Sequence, residues 1–86
     1  MLLKVYTIYY SGVEAYLQPF FMAANGAAIR GFSEIVNDPT HQFAKHPGDY
    51  TLFELGTYDD ITAKFEMLPS PKSLGVGVEF VRPSTV

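Results

Sequence analysis

Two histidines in a polar stretch are the first candidates for chemistry. His41 and His46 lie between Asp38 and Asp49. Imidazole and carboxylate groups bind zinc, and a histidine can act as a general base. Structural zinc almost always has four protein ligands, and no further well-placed ligand accompanies this pair. We favour a polar loop in which the aspartates cap turns and the imidazoles are solvated, and we expect no metal and no cofactor.

Two other short patterns have a chemical and a structural interpretation. Asp59-Asp60 could bind a hard cation if other oxygen ligands lay nearby, but aspartate is also a common turn residue. Gly75-Val76-Gly77 has the spacing of a phosphate loop, but no helix and no third glycine follow it. No serine lies in a strand-to-helix elbow either. We therefore expect a turn at 59–60, a strand irregularity at 75–77, and a protein that is not an enzyme.

The aromatic residues are the most informative group. They make up 15% of the chain, with six tyrosines, seven phenylalanines and no tryptophan. Tyrosine beside lysine on a sheet face can hold single-stranded nucleic acid, because bases stack on the rings at roughly 1–3 kcal/mol each while cations contact phosphates. Under this interpretation, the residues that bind nucleic acid are Lys4, Tyr6, Tyr10, Arg30, Lys64 and Arg82.

The same residues allow two other interpretations. The tyrosines can pack with buried rings and surface hydroxyls. Nine acidic residues against six lysines and arginines give a net charge of −3, which opposes phosphate binding. The apolar run Phe20-Phe21-Met22 can instead mark a subunit interface, and a two-fold homodimer is the commonest oligomer.

Length and composition limit the architecture. Eighty-six residues correspond to one domain, 1–86, with a small core. The chain has no cysteine, so disulfides and thiolate metal sites are excluded and oligomerisation is the remaining way to support the core. No apolar run approaches the ~20 residues of a membrane span, and no signal-peptide pattern precedes the first predicted strand. We expect a cytosolic protein.

The first half of the chain predicts a hairpin followed by a helix. Residues 2–10 and 14–23 are rich in β-branched and aromatic residues and are joined by a short loop at 11–13. Asn25 is a plausible N-cap. The helix that follows has one apolar face and ends before Pro39; the apolar positions are Ala28, Ile29, Phe32, Ile35 and Val36.

The second half predicts three strands. After a loop at 38–49, residues 50–57 have strand character and 58–60 a turn. Residues 61–67 alternate between apolar and polar, which indicates one solvated face. Prolines break the chain at 69–71, 74–82 form the last strand, and 83–86 are a tail. The predicted fold class is α+β: a small antiparallel sheet, β-β-α-β-β-β, with one helix on one face.

Several segments together resemble one family of phage proteins. They are residues 15–22 (AYLQPFFM), 37–43 (NDPTHQF), 45–47 (KHP), 49–56 (DYTLFELG), 58–60 (YDD) and 71–75 (PKSLG). This combination resembles the small nonstructural proteins of gokushoviruses, single-stranded DNA phages of the Microviridae. Each segment alone is unspecific, but the set spans nearly the whole chain.

The resemblance implies a role in the infected bacterium, outside the finished capsid. The family is likened to the small microvirus protein that switches genome synthesis toward single-stranded DNA and its packaging. It implies no catalytic residues. Two hypotheses follow: a protein that binds single-stranded DNA or the replication complex, and an adaptor that contacts the replication initiator, the procapsid or a host factor without binding DNA. Both are expected to be homodimers or higher homo-oligomers.

Overall fold

An antiparallel sheet carries one main helix on one of its faces. The computed structural model describes residues 1–83. The strands are β1 (Leu2–Tyr10), β2 (Ala15–Tyr16), β3 (Phe20–Met22), β4 (Tyr50–Asp59) and β5 (Lys64–Val76), and the helices are α1 (Asn25–Val36) and the short α2 (Gln42–Lys45). Turns of 3-10 helix follow at Pro47–Asp49 and Gly77–Phe80. The predicted α+β class is confirmed, and no helix within residues 1–83 is long and apolar enough to cross a membrane.

The two long central strands organise the sheet. Its order is β2-β1-β4-β5, and β3 pairs with the same edge of β1 as β2 does. In place of the single predicted strand at 14–23, β2 and β3 are separated by 17–19. The break contains Pro19, which has no N–H to donate to a ladder. Here the Thr7 hydroxyl donates to the Leu17 carbonyl at 2.7 Å.

The core lies between α1 and the sheet. On α1, Ala28, Phe32 and Val36 are buried, as the apolar face predicted. They pack against one face of β1 and β4. The buried residues of those strands in the core are Tyr6, Ile8, Tyr50 and Leu52. The predicted N-cap is wrong, since Ala24 occupies that position and Asn25 begins the helix.

The predicted loop at 38–49 contains ordered structure. His41 caps α2 by accepting a hydrogen bond at Nδ1 from the Phe43 N–H at 3.1 Å. The Phe43 ring stacks on Tyr50 with centroids 4.0 Å apart. Phe43 therefore fixes this segment to the core.

Parts of the last two predicted strands, 61–67 and 74–82, belong to the single strand β5. The predicted last strand is wrong beyond Val76, where Gly77–Phe80 form a 3-10 turn. The turn expected at 58–60 lies later, because β4 continues to Asp59 and β5 begins at Lys64. β5 contains Pro69 and Pro71 and changes register between Met67 and Lys72. Proline is tolerated because β5 is an edge strand, where an N–H on the free side is not needed.

The hairpin of β4 and β5 extends beyond the helix. The molecule measures 49 × 26 × 19 Å. Residues 60–73 are all exposed, so the predicted single solvated face at 61–67 is wrong: Ile61 and Phe65 are as open to solvent as their polar neighbours. Of the predicted tail at 83–86, Pro83 lies in no helix or strand and 84–86 lie outside the described residues.

Candidate functional site

The first two predicted nucleic-acid contacts, Lys4 and Tyr6, belong to a polar chain beneath α1. The Tyr6 hydroxyl donates to Asn25 Oδ1 at 2.7 Å, and Asn25 Nδ2 donates to Glu54 Oε1 at 3.1 Å. Lys4 Nζ lies 3.6 Å from Glu54 Oε2. Burial, followed by the Glu54 charge, raises the pKa of Tyr6 above its ordinary value. This chain ties the start of α1 to both central strands.

The expectation that Tyr6 presents an exposed ring is wrong. Its relative exposure is 0%. Tyr10 is half-buried and stacks on Tyr50 at 4.6 Å. Lys4, Tyr6 and Tyr10 do share a face of β1, as their spacing predicted, but it is the face that α1 covers. These two rings are structural in this conformation.

The remaining predicted cations are exposed but scattered. Arg30 lies on α1, and Lys64 begins β5 at the far end of the hairpin. Arg82 follows the last 3-10 turn, and its N–H donates to Asn37 Oδ1 at 2.8 Å. The structure does not gather the six predicted residues into one site.

The opposite face of the sheet, here called the open face, carries a different set of rings. Strand register defines it: the side chains of Val5, Thr7 and Tyr9 of β1 point away from α1. Their cross-strand partners on β2, β3 and β4 point to the same face of the sheet as they do. α1 does not cover this face, since its buried residues pack on the other side. The exposed aromatic surface of the protein therefore lies here. Val5 and Thr7 in the middle of the face are nevertheless buried, with 3% exposure each.

The first ring cluster comprises Tyr9, Tyr16 and Phe53. Tyr9 and Tyr16 are cross-strand partners with centroids 5.0 Å apart, and Tyr16 lies 5.9 Å from Phe53. Tyr9 and Phe53 are half-buried, whereas Tyr16 is 53% exposed. Edge-to-face contacts of this kind stabilise aromatic pairs by about 0.5–1.5 kcal/mol beyond area burial. Tyr16 is thus held in place yet open to a ligand.

The second ring cluster comprises Phe21, Tyr58 and Phe65. Phe21 lies 5.5 Å from Tyr58, which lies 4.6 Å from Phe65. Phe21 and Phe65 are exposed and Tyr58 is half-buried. Phe21 pairs with Val5 and Tyr58 with Leu3, so this cluster is centred about five residues before the first cluster along β1, or about 15 Å at ~3.3 Å per residue.

An apolar groove lies beside Tyr16 on the open face. It has a volume of about 320 Å³. Its lining comprises Thr7, Tyr16, Leu17, Pro19, Leu55 and Pro71. Of the six clustered rings, the lining contains Tyr16 alone, so the groove adjoins the first cluster.

The open face is separated from the positive charges. All six lysines and arginines lie within residues 1–83. Register places Lys4, Lys64 and Lys72 on the α1 side of their strands, opposite Thr57, Asp59 and Glu54 respectively. The others belong to α1, α2 and the segment after the last 3-10 turn: Arg30, Lys45 and Arg82. The face with the rings therefore has no cation of its own.

The open-face rings were not predicted from the sequence, because the face of Tyr16 depends on the length of the hairpin loop. A loop at 11–14 places Tyr10 opposite Ala15 and Tyr9 opposite Tyr16. The predicted loop at 11–13 would instead have placed Tyr16 opposite Ile8, so the one-residue difference in loop length moves Tyr16 to the face of Tyr9. What the spacing could not supply is which face receives α1.

A family comparison adds the biological context. The family model described as Phage ORF5 protein matches residues 3–80. The chain belongs to the Phage ORF5 protein family. Searches of curated proteins and of solved structures returned no match. This Phage ORF5 protein is therefore a phage protein, and the matched span includes both ring clusters and the groove.

Proposed function

We propose that this Phage ORF5 protein binds single-stranded DNA on the open face during genome replication or packaging. It acts by binding and not by catalysis, in the cytoplasm of the infected bacterium and outside the virion. The resemblance of its segments to gokushovirus nonstructural proteins supports this setting. The observation that carries the proposal is the set of three exposed rings, Tyr16, Phe21 and Phe65, on the sheet face that α1 does not cover.

Stacking supplies the affinity in this proposal. Each base stacked on an aromatic ring contributes roughly 1–3 kcal/mol, and every base has a π face, so such binding tolerates many sequences. Tyr16, Phe21 and Phe65 are the exposed rings, and half-buried neighbours support each of them. Single-strand binding on an aromatic sheet face is a common mode of nucleic-acid recognition.

The charge distribution gives this binding a distinctive salt dependence. On single strands, log affinity falls with log salt with a slope near −0.7 for each phosphate neutralised. The open face has no lysine or arginine of its own, and the net charge is −3. We therefore expect a slope shallower than −0.7, less than that of one neutralised phosphate.

Fluorescence anisotropy of a labelled oligothymidine tests the proposal. Wild-type protein is compared with Tyr16→Ala and with Val78→Ala, a control on the 3-10 turn whose side chain is 52% exposed. Loss of one stacked base weakens binding by about 5- to 150-fold. Tyr16→Ala should show this loss and Val78→Ala should not. Absence of binding at micromolar protein and low salt, or equal affinities for the two variants, would reject the proposal.

A second candidate is a protein-interaction adaptor that uses the same face. The specific observation in its favour is the separation of rings from cations, because an uncharged aromatic face suits an apolar protein surface. Its partner would be the replication initiator, the procapsid or a host factor. Affinity purification from infected cells with wild type and Tyr16→Ala distinguishes the two candidates: the adaptor requires a protein partner that only the wild type recovers, together with no oligonucleotide binding.

A further inference from the structure

The outer edge of β5 is an unpaired strand edge. β5 pairs with β4 on one side, and within residues 1–83 its other side has no strand partner along 64–68. Residues 64–68 are all exposed. A free edge presents unpaired N–H and C=O groups and is a template for strand addition by another chain. Pro69 and Pro71 lack the N–H, so the usable edge is short and ends at Leu68.

The side chains on this edge are self-complementary. Lys64 and Glu66 point to the α1 side, and Phe65 and Met67 point to the open face. Opposite charges across neighbouring strands stabilise a pair, whereas like charges directly opposite destabilise it. A second copy of the same sequence can therefore place Lys64 opposite Glu66, and Glu66 opposite Lys64, in one antiparallel register.

We propose that a second copy of this chain pairs with β5 along residues 64–66, antiparallel, with Phe65 opposite Phe65 of the second copy. In this register Lys64 faces Glu66 of the second copy, and Glu66 faces its Lys64. Shifting the register by two residues in either direction places Lys64 opposite Lys64 or Glu66 opposite Glu66. The charges thus favour this register over the two neighbouring registers that keep the two open faces on the same side.

The pairing joins the ring clusters of the two copies. Phe65 belongs to the cluster with Tyr58 and Phe21. In this dimer the two Phe65 rings face each other across the two-fold axis. The second ring clusters of the two copies then form one aromatic band on a continuous sheet. This inference concerns self-association and stands whether or not the open face binds DNA.

Cysteine cross-linking tests the register directly. The chain has no cysteine, so every disulfide comes from the introduced residue. Residues directly opposite across an antiparallel pair have Cβ atoms close enough for a disulfide. Phe65→Cys should form a disulfide-linked dimer on mild oxidation at low micromolar protein. Ile61→Cys, on the exposed hairpin turn, faces a different residue in this register and should remain monomeric on gels. Equal cross-linking of the two variants would overturn the proposal.

Charge reversal provides an independent test, because the double variant separates the charge pairing from any local effect of the single substitutions on stability. Lys64→Glu alone places Glu opposite Glu66, and Glu66→Lys alone places Lys opposite Lys64. Each should raise the dimer dissociation constant about 5-fold or more in sedimentation equilibrium, and the double variant should restore it. Lys45→Glu, an exposed position on α2, makes the same charge change and should leave the constant unaltered. A monomeric wild type at 100 μM, or a double variant as weak as the singles, would overturn the proposal.

Discussion

Tyr16 lies edge-on against Tyr9, with ring centroids 5.0 Å apart, on the side of the sheet that faces away from α1. Tyr9 is half-buried and Tyr16 is exposed, so Tyr9 supports a ring that is open to solvent. Phe53 closes the arrangement from β4. This arrangement gives an exposed aromatic ring a fixed position without burying it.

Substitutions that keep or remove the ring at position 16 separate base stacking from apolar contact. Tyr16→Phe retains the π face, so its affinity for oligothymidine should stay within about twofold of wild type. Tyr16→Leu retains apolar area but loses the ring, and should weaken binding by about 5- to 150-fold. Anisotropy titrations at constant salt measure both. Tight binding by Tyr16→Leu would mean that apolar area alone suffices, contrary to a stacking mechanism.

Gly56 is required where β4 bulges against β5. A Cβ at this position would overlap the Glu66 carbonyl oxygen and the Met67 Cα. Both obstacles are backbone atoms, so Gly56→Ala must push the strands apart and should lower the free energy of unfolding by about 1–3 kcal/mol.

Gly26 provides the control for that substitution. It lies in the first turn of α1, and a Cβ there meets nothing within 4 Å. Gly26→Ala should raise the free energy of unfolding by about 0.4–1 kcal/mol, because alanine restricts the unfolded chain and favours helix. Urea denaturation compares the two variants, and similar destabilisation by both would contradict the close strand approach at Gly56.

Asn25 joins the buried polar chain to the helix. Asn25→Ala removes the acceptor of the Tyr6 hydroxyl and one donor to Glu54. Leaving buried polar groups unsatisfied costs about 1–3 kcal/mol, so the free energy of unfolding should fall by about that amount. Gln18→Ala, at an exposed position, should change it by less than about 0.5 kcal/mol. If both variants unfold at the same urea concentration, the hydrogen bonds that join Tyr6, Asn25 and Glu54 do not stabilise the fold.

Two buried tyrosines make the fold sensitive to alkali. Burial is the main cause that raises the pKa of both Tyr6 and Tyr50 above the ordinary 10.0, with Glu54 and Tyr10 respectively adding to it. Because the folded pKa exceeds the unfolded one, this stabilisation is complete below pH 10 and is lost as pH rises through the folded pKa.

Urea denaturation at one pH below 10 and one pH above 10 measures this loss of stability. The free energy of unfolding should be lower at about pH 11 than at about pH 9. Tyr6→Phe should be less stable than wild type at pH 9, because it loses the hydrogen bond to Asn25. Its further loss between pH 9 and 11 should be smaller than that of wild type. An equal loss in both proteins would show that Tyr6 does not take part.

The helices and strands whose structure follows from the local sequence pattern could be predicted from the sequence. β1 was predicted at 2–10, and the apolar spacing of Ala28, Phe32 and Val36 identified the buried side of α1. β5 was not predictable, because Pro69 and Pro71 indicate a break unless the strand is known to lie at an edge. Edge position is a property of the sheet order and not of the local sequence.

The candidate site was predictable in kind but not in place. Odd and even positions of β1 are both apolar, with Val5 and Tyr9 on one face and Tyr6 and Ile8 on the other. Alternation therefore could not show which tyrosines α1 would cover. Packing of α1 buries Tyr6, half-buries Tyr10 and leaves Tyr9 and Tyr16 on the open face, away from the lysines and arginines that the predicted site included.

Mapping the DNA contact surface by NMR tests the central proposal most directly. Oligothymidine is titrated into protein carrying labelled aromatic rings at low salt. Ring resonances of Tyr9, Tyr16 and Phe53 should shift and broaden, while those of Tyr6 and Tyr50 should stay in place. Shifts confined to the neighbourhood of Arg30 and Lys45, or none at saturating oligonucleotide, would contradict it.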